Sequence, residues 1–302
     1  MTNYPSVSIV SINYNGAQVT CEMLDSLKKI TYPNFEVIIV DNASKEDPSI
    51  IFEKHPWIKF IRSDKNLGFA GGNNLGFKQA TGKYFLMLNN DTEVPEGFLE
   101  PLVQRMESDS KIGAASPKII FHHTPGMLQF AGFEPINPFT VRGNAIGFGK
   151  QDNGDFDQSM PTSRAHGAAM MVSRKVVEEI GLMADLYFLY YEEMDYCERI
   201  KNAGYSIWYE AESKIYHKES MATGKGSTLK TYYLTRNRIL YQRRNVKGIT
   251  LFVSLLFLTF VSIPKNTLQY LLKGKTDMLK AFYKGVIWNL TNYNIHSNES
   301  LI

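Results

Sequence analysis

Residues 7–41 read VSIVSINYNGAQVTCEMLDSLKKITYPNFEVIIVD, and this stretch decides the fold class. Its two apolar runs, 7–12 and 35–40, have the length and the β-branched content of buried strands. Between them, residues 19–30 place apolar side chains at helical spacing. A buried strand, a helix and a second buried strand form a βαβ unit, which predicts a parallel sheet.

The same alternation continues along the chain. Apolar runs at 58–61, 84–88 and 112–120 alternate with helical patterns at 72–81 and 95–108. These segments extend the predicted sheet, which is therefore mostly parallel and flanked by helices.

Polar side chains follow three of the predicted strands, at 13–15, 41–42 and 89–91. In open parallel sheets, ligands bind at the carboxyl ends of the strands. We therefore expect the binding site at this edge of the sheet.

The chain changes character after residue 120. Residues 121–165 are dense in Gly, Pro, Asn and His, which predicts loops and short antiparallel strands that close over the site. A strand at 168–173, a short helix at 174–180 and a helix at 193–203 follow. Residues 229–245 form a basic, aromatic-rich helical pattern.

Composition limits the protein class. Of 302 residues, 44% are hydrophobic and 21% are charged, which excludes a disordered or fibrous chain. Two cysteines, Cys21 and Cys197, exclude a disulfide framework and favour a reducing compartment. The N-terminus has no basic stretch followed by a long apolar run, so no signal peptide is expected.

Charge is divided unevenly. Residues 1–219 carry 28 acids against 21 lysines and arginines, whereas residues 220–276 carry ten lysines and arginines and no acid. The basic segment predicts an anionic partner such as a membrane surface or a phosphate-rich ligand. Nucleic acid is not expected, because no recognised binding module is present.

Residues 248–264 carry no charge and are almost wholly apolar from 249 to 263. A membrane-spanning helix needs about 20 apolar residues, so this stretch is short for a span. Two interpretations remain open: a helix packed in a core or a dimer interface, and a helix lying in the membrane interface between flanking lysines.

Two acidic clusters are candidates for chemistry. Asp91 ends the Asn-Asn-Asp cluster after the strand at 84–88, where it suits either a divalent cation or a helix-capping turn. Glu192, Glu193 and Asp195 open a helix among aromatic residues. They suit either the helix dipole or a general base whose pKa apolar walls raise.

Taken in order along the chain, these motifs closely resemble family 2 glycosyltransferases with the GT-A fold. The series is VSIVSINYN, VIIVDNAS, NLGFAGGNNLGF, YFLMLNNDTEV, FLYYEEMDYCERIKNAGY and IYHKES, and it covers roughly residues 5–245. The Asn-x-Asp-Thr motif at 89–92 and a Tyr-Tyr…Arg-Asn helix at 232–237 look like the rhamnosyltransferase-like subgroup.

The resemblance implies an α/β GT-A fold with a basic and apolar helical extension at the C-terminus. It implies a catalytic domain at 1–225, with a nucleotide-binding half at 1–120 and an acceptor and base half at 121–225. Residues 226–302 are then the extension, which would contact a membrane interface or a second copy of the chain.

The resemblance also assigns site residues. Those expected to contact the nucleotide and its sugar are Asn13, Asn15, Asp41, Asn42, Gly72, Asn74, Asn89 and Asn90. Asp91, Asn89 and His217 are the expected metal ligands. Glu193 is the expected catalytic base, with Asp195 and Glu192 beside it.

Two positions depart from the family pattern. Asn89 replaces an Asp, which removes one negative charge from the expected metal site. Glu193 replaces an Asp, which makes the expected base one methylene longer.

The implied activity is inverting transfer of a sugar from a nucleoside-diphosphate donor, with Mg²⁺ or Mn²⁺ as the metal. The best-fitting donor is dTDP-L-rhamnose; UDP-hexose, UDP-N-acetylglucosamine and galactofuranose donors are the alternatives. The expected acceptor is a saccharide or a lipid-linked glycan of the cell surface. The enzyme is expected in the cytoplasm or on the inner face of the plasma membrane. A catalytically silent subunit that binds a nucleotide or a glycan is the alternative of another class.

Overall fold

The computed structural model describes residues 4–219 and 227–295. The strands are β1 (Val7–Asn13), β2 (Phe35–Asp41), β3 (Lys59–Arg62), β4 (Tyr84–Leu88), β5 (Thr92–Glu93), β6 (Ile112–Phe121), β7 (Leu128–Phe130), β8 (Met160–Pro161), β9 (Ala169–Ser173) and β10 (Ser206–His217). The helices are α1 (Ala17–Leu27), α2 (Ser49–Lys54), α3 (Gly68–Phe77), α4 (Leu99–Ser108), α5 (Arg174–Ile180), α6 (Glu192–Asn202), α7 (Thr228–Asn245), α8 (Gly248–Phe257), α9 (Ile263–Leu272) and α10 (Thr276–Thr291).

The first four long strands confirm the predicted βαβ pattern. They lie side by side in the order β3-β2-β1-β4, and each pair is parallel. β1 pairs with β2 from Val7 opposite Phe35 to Asn13 opposite Asp41, so the polar residues that end these strands lie side by side.

Beyond β4 the sheet is mixed rather than parallel. β9 lies between β4 and β6 and is antiparallel to both. β10 then pairs parallel with β6, and β5 pairs antiparallel with the end of β10. That last pairing places His217 opposite Thr92, beside the residues that follow β4.

Helices cover both faces of the sheet and create two cores. On one face, α1 and α4 bury apolar residues such as Leu24 and Leu102. On the other face, α3, α5 and α6 bury residues such as Phe77, Val176 and Tyr196. Both faces of the parallel strands are therefore apolar, as the continuous apolar runs predict.

The buried amine of Lys118 links segment 121–165 to the sheet. Lys118 on β6 is fully buried and donates hydrogen bonds to Asp152 at 3.0 Å and to Asp157. This segment contains β7 and β8, so short strands are present as expected. Its closing movement stays a prediction.

α7 packs into a third core with the body of the protein. Leu240 and Tyr241 of α7 lie against Val141, Tyr187 and Met194. The predicted boundary between residues 225 and 226 lies outside the described residues, so the division at that point stays a prediction.

The apolar stretch after α7 does not lie in the monomer's core. α8, a π-helical turn (Leu258–Ser262) and α9 form one helical run from Gly248 to Leu272, which is 17% buried over its most apolar window. By length and composition this run can cross a membrane. Its exposed side chains include Ile249, Phe260 and Leu272.

Candidate active site

Asn13 and Asp41 meet at the carboxyl ends of β1 and β2. Asn13 Nδ2 donates to Asp41 Oδ1 at 2.7 Å, and Thr20 Oγ1 donates to Asn13 Oδ1 at 3.0 Å. Arg62 at the end of β3 brings its Nε within 3.5 Å of Asp41 Oδ2. This guanidinium has no motif of its own in the sequence, and only the parallel order of the strands places it here.

A small cavity opens beside this pair. It has a volume of about 350 Å³ and is lined by Ala43, Ser44, Arg62, Ser63 and Asp64. Asn15 borders it in a left-handed conformation with φ 51°. Asn15 Oδ1 accepts a hydrogen bond from the backbone of Lys45 at 2.8 Å, which holds the loop after β2.

Asn42 and Gly72 position the start of α3. Asn42 accepts a hydrogen bond from Leu67 N at 2.8 Å and donates to Gly68 O at 3.0 Å. A Cβ on Gly72 would lie 2.9 Å from Ile12 Cδ1, so a larger residue would require the Ile12 side chain to shift.

The side-chain amides of Asn74 and Asn90 form hydrogen bonds to other parts of the protein. Asn74 donates to Met183 O at 2.8 Å and accepts from Met183 N at 3.1 Å, which uses both ends of its amide on one backbone. The place of Asn74 beside the nucleotide stays a prediction. Asn90 Nδ2 donates to Thr20 Oγ1 at 2.9 Å and lies beside Asn13 rather than with Asp91.

Asn89, Asp91 and His217 converge after β4. His217 Nε2 lies 3.1 Å from Asp91 Oδ1 and 3.4 Å from Asn89 Nδ2. On the other side of the ring, His217 Nδ1 donates to Gln129 Oε1 at 2.7 Å, because a carbonyl oxygen only accepts. Asp91 and His217 are both buried.

This group offers side-chain atoms that can bind a divalent cation. Gln129 holds Nδ1, so Nε2 is the ring nitrogen that faces the Asp91 carboxylate, and a hydrogen-bond partner on the opposite ring nitrogen is typical of metal-binding His. No cluster of three or more His, Cys, Asp or Glu is found within 4–219 and 227–295. One carboxylate and one imidazole fit a cation whose remaining ligands come from substrate phosphate.

The three acids of α6 lie in three different environments. Asp195 is fully buried and accepts from Arg244 Nε at 2.9 Å, Asn245 Nδ2 at 2.8 Å and Tyr187 OH at 3.0 Å. Its carboxylate thus accepts hydrogen bonds from α7 and from Tyr187. Asp195 therefore links α6 to α7, and its part in the chemistry stays a prediction.

Glu192 and Glu193 differ in their neighbours. Burial raises the pKa of Glu192 well above its usual range, and the adjacent charge of Glu193 raises it further. Burial also raises the pKa of Glu193, but the nearby Arg164 guanidinium lowers it. Glu193 packs against Gly167, where a Cβ would lie 3.7 Å from Glu193 Cγ.

The turn at 166–168 connects the two acidic groups. Asn89 N donates to Ala168 O at 2.9 Å, and the His166 ring centroid lies 6.4 Å from that of His217. A Cβ on Gly167 would lie within van der Waals contact of Glu193. The Asp91 group and Glu193 therefore both lie beside one three-residue turn, although the sequence gives no motif for it.

The backbone before α6 is strained and clamped. Phe188, Tyr190 and Tyr191 all adopt positive φ, at 65°, 68° and 76°. Asn237 of α7 is fully buried, and its Nδ2 donates to the carbonyls of residues 187, 189 and 190 at 2.9, 2.7 and 2.8 Å. Left-handed non-glycine residues persist only where surrounding contacts enforce them.

The sequence of this chain is similar to those of known glycosyltransferases. A sequence model of "Glycosyl transferase family 2" matches residues 8–181. The low-salt glycan biosynthesis hexosyltransferase Agl10 of Haloferax volcanii is 26% identical over 248 residues, covering 79% of this chain and 76% of that protein. The N-acetylglucosaminyl-diphospho-decaprenol L-rhamnosyltransferase of Mycobacterium tuberculosis is 20% identical over 238 residues, covering 72% and 77%.

Solved structures share the fold at low identity. The mannosyltransferase PcManGT of Pyrobaculum calidifontis, in complex with GDP-Man and Mn²⁺, superposes with a TM-score of 0.59 at 16% identity. That match covers 97% of this chain and 89% of the other. GalNAc-T7 with UDP, GalNAc and Mn²⁺ gives 0.63 at 17% identity, covering 78% and 48%. The expected GT-A fold is confirmed.

The Asn237 clamp generates a stability prediction. Asn237→Ala leaves buried carbonyls of the 187–190 turn without their donor, which costs about 1–3 kcal/mol of unfolding free energy. Urea denaturation measures the loss. Asn34→Ala is the matched control, because Asn34 is exposed and makes one hydrogen bond to Tyr4 O. Equal stability of the two variants would contradict the clamp.

Proposed function

Since the chain belongs to glycosyl transferase family 2, we propose that it moves a sugar from a nucleoside-diphosphate donor to a saccharide or lipid-linked acceptor with inversion. One observation carries the proposal: the Asp91–His217 pair and Glu193 both lie beside the 166–168 turn. A cation-binding group and a base beside one short turn suit a donor diphosphate and an acceptor that meet there.

The donor nucleotide is assigned to the β1–β3 edge. Arg62 lines the cavity of about 350 Å³ and contacts Asp41, whose carboxylate is assigned to the nucleobase. We propose dTDP-L-rhamnose as the donor, supported by the similarity to an L-rhamnosyltransferase. UDP-linked hexoses, N-acetylglucosamine and galactofuranose are the alternatives, since the neighbouring structures carry UDP or GDP-Man.

The base is assigned to Glu193 because the two neighbouring acids suit that role less well. Asp195 accepts hydrogen bonds from α7, and burial with the adjacent charge of Glu193 raises the pKa of Glu192 well above its usual range. Glu193 has a raised pKa that Arg164 keeps from rising further, which suits a base working near neutral pH. Its carboxylate takes the proton of the acceptor hydroxyl as that oxygen bonds to the anomeric carbon and the nucleoside diphosphate leaves.

Asp91 and His217, with Asn89 beside them, would hold Mg²⁺ or Mn²⁺. When bound, the cation would offset the charge that develops on the leaving diphosphate. Gln129 keeps the His217 ring oriented for this role. The protein's own contribution is the fixed ring, the buried carboxylate and a site that the 121–165 segment shields from water.

The C-terminal helices are assigned to a membrane surface on the cytoplasmic side. Ile249, Phe260 and Leu272 are 74%, 72% and 79% exposed, and lysines flank the run at both ends. Each well-placed cation adds about 1 kcal/mol of attraction to an anionic leaflet. A peripheral enzyme would reach an acceptor that is carried on a lipid.

Glu193→Gln tests the assigned base. We expect turnover of the correct nucleotide sugar, measured as release of nucleoside diphosphate in the presence of Mn²⁺, to fall by about 10²–10⁴-fold. The donor-induced rise in melting temperature should persist, because the donor site is intact. Glu178→Gln is the control, since Glu178 is half-exposed on α5.

Two outcomes would contradict that assignment. Full activity of Glu193→Gln would place the base elsewhere. A wild-type chain that binds nucleotide sugars from a dTDP, UDP and GDP panel, but turns none of them over with any saccharide acceptor, would favour the silent binding subunit.

Arg164→Met tests the electrostatics of the base. The base must be ionised, so activity falls as pH falls through the pKa of Glu193. Removing the Arg164 charge raises that pKa, so the acidic limb of the kcat/KM profile should move to higher pH. Arg105→Met is the matched control, because both guanidinium groups stack on aromatic rings. An unmoved limb, or one moved to lower pH, would refute the coupling.

The membrane assignment predicts binding to phosphatidylglycerol vesicles. Replacing Phe260 and Leu272 together by Ser should weaken partitioning at least about tenfold, because each side chain is worth about 1.5–3 kcal/mol when buried. Phe148→Ser is the control, since Phe148 is 61% exposed in the 121–165 segment. Cosedimentation measures binding. The membrane assignment would be wrong if the wild-type protein stayed in the supernatant with these vesicles at low salt.

A further inference from the structure

A second, larger cavity lies where α7, the π-helical turn and α10 meet the loop that carries Arg142. Its volume is about 400 Å³. Arg142, Lys230 and Arg238 line it, and no carboxylate of the described residues does. The cavity is therefore a positively charged recess.

Arg238 shows that this recess lacks a counter-charge. Its Nη2 lies 3.4 Å from Ser262 Oγ, and its buried Nε has no hydrogen-bond partner within 4–219 and 227–295. Burial lowers the pKa of Arg238, and the like charge of Arg142 lowers it further. A buried guanidinium nitrogen without an acceptor is costly, and a phosphate oxygen would supply the missing acceptor.

The recess adjoins the assigned base. Tyr191 forms one of its walls and stands at the start of α6, two residues before Glu193. Burial raises the pKa of the Tyr191 phenol, whereas the charges of Arg238, Arg164 and Arg142 lower it, so positive charge surrounds this phenol. A ligand whose anionic group fills the recess would extend past Tyr191 toward Glu193.

The remaining walls are apolar. Leu234, Leu258 and Phe282 line the recess, and the exposed apolar side chains of α8 and α9 continue from it along the surface. Cations at the centre and hydrocarbon at the rim match an amphiphile. A free saccharide would use neither feature.

We propose that this recess is the acceptor subsite, and that it binds the phosphate or diphosphate group that joins the acceptor sugar to an isoprenoid-like lipid. The proposal rests on the proposed function and names its acceptor class. The acceptor's charged linkage sits among Arg142, Lys230 and Arg238. Its lipid lies along α8 and α9, and its sugar hydroxyl reaches Glu193.

Farnesyl diphosphate is the probe. Titration calorimetry below its micellar concentration should show binding to the wild-type chain and no binding of farnesol, which lacks the phosphates. Arg142→Gln and Arg238→Gln should each weaken that binding at least about tenfold. Lys273→Gln is the matched control, since Lys273 is an exposed cation of the same basic segment outside the recess.

Three results would overturn the proposal. One is equal affinity of the wild type and both arginine variants for farnesyl diphosphate. Another is loss of phosphatidylglycerol vesicle binding in those variants with farnesyl diphosphate binding intact, which would make the recess a site for bulk lipid headgroups. The third is equal binding of farnesol. Arg142 is exposed, so its variant keeps the test valid even if Arg238→Gln fails to fold.

Binding of dTDP and UDP separates this proposal from the proposed function. Both arginine variants should bind the preferred nucleotide as the wild type does, because the β1–β3 edge is unchanged. If farnesyl diphosphate binds in the recess and no nucleotide binds anywhere, the subsite stands and the transferase assignment falls.

Discussion

The position of Glu193 depends on one constraint, the hydrogen bonds from Asn237 to the carbonyls of residues 187, 189 and 190. Three side-chain-bearing residues in this turn have positive φ, a conformation that costs on the order of 1–3 kcal/mol each. The turn then delivers α6 with Glu193 against Gly167. Without the amide from α7, the backbone would relax toward ordinary φ values and rotate the start of α6.

Environment, rather than residue type, separates the acids of α6. Arg244 pairs with Asp195. Burial raises the pKa of both glutamates, whereas the Arg164 charge opposes that rise at Glu193. Beside the 166–168 turn, Gln129 orients the His217 ring through a hydrogen bond at Nδ1.

Much of the first half of the fold could be predicted, because β1, β2 and β4 are continuous apolar runs and a parallel sheet brings their polar ends together. Asn13 and Asp41 meet for that reason, and the β5–β10 pairing brings His217 to Asp91. The antiparallel position of β9 could not be predicted, since an apolar run carries no direction. The contacts of Arg62, Arg164, Gln129 and Asn237 depend on packing between segments far apart in sequence. Periodicity places an acid on a helix face, but it does not reveal that Arg244 and Asn245 donate hydrogen bonds to Asp195.

The α7 clamp has a consequence for chimaeric enzymes. A designer who wishes to exchange the C-terminal helices between relatives, for instance to change the acceptor, would naturally cut before Ser227. Such a graft would also replace the amide that shapes the turn at 187–190 and the partners of Asp195. Junctions placed after Asn245 keep these contacts within one parent, so the recombinable module begins at α8 rather than at α7.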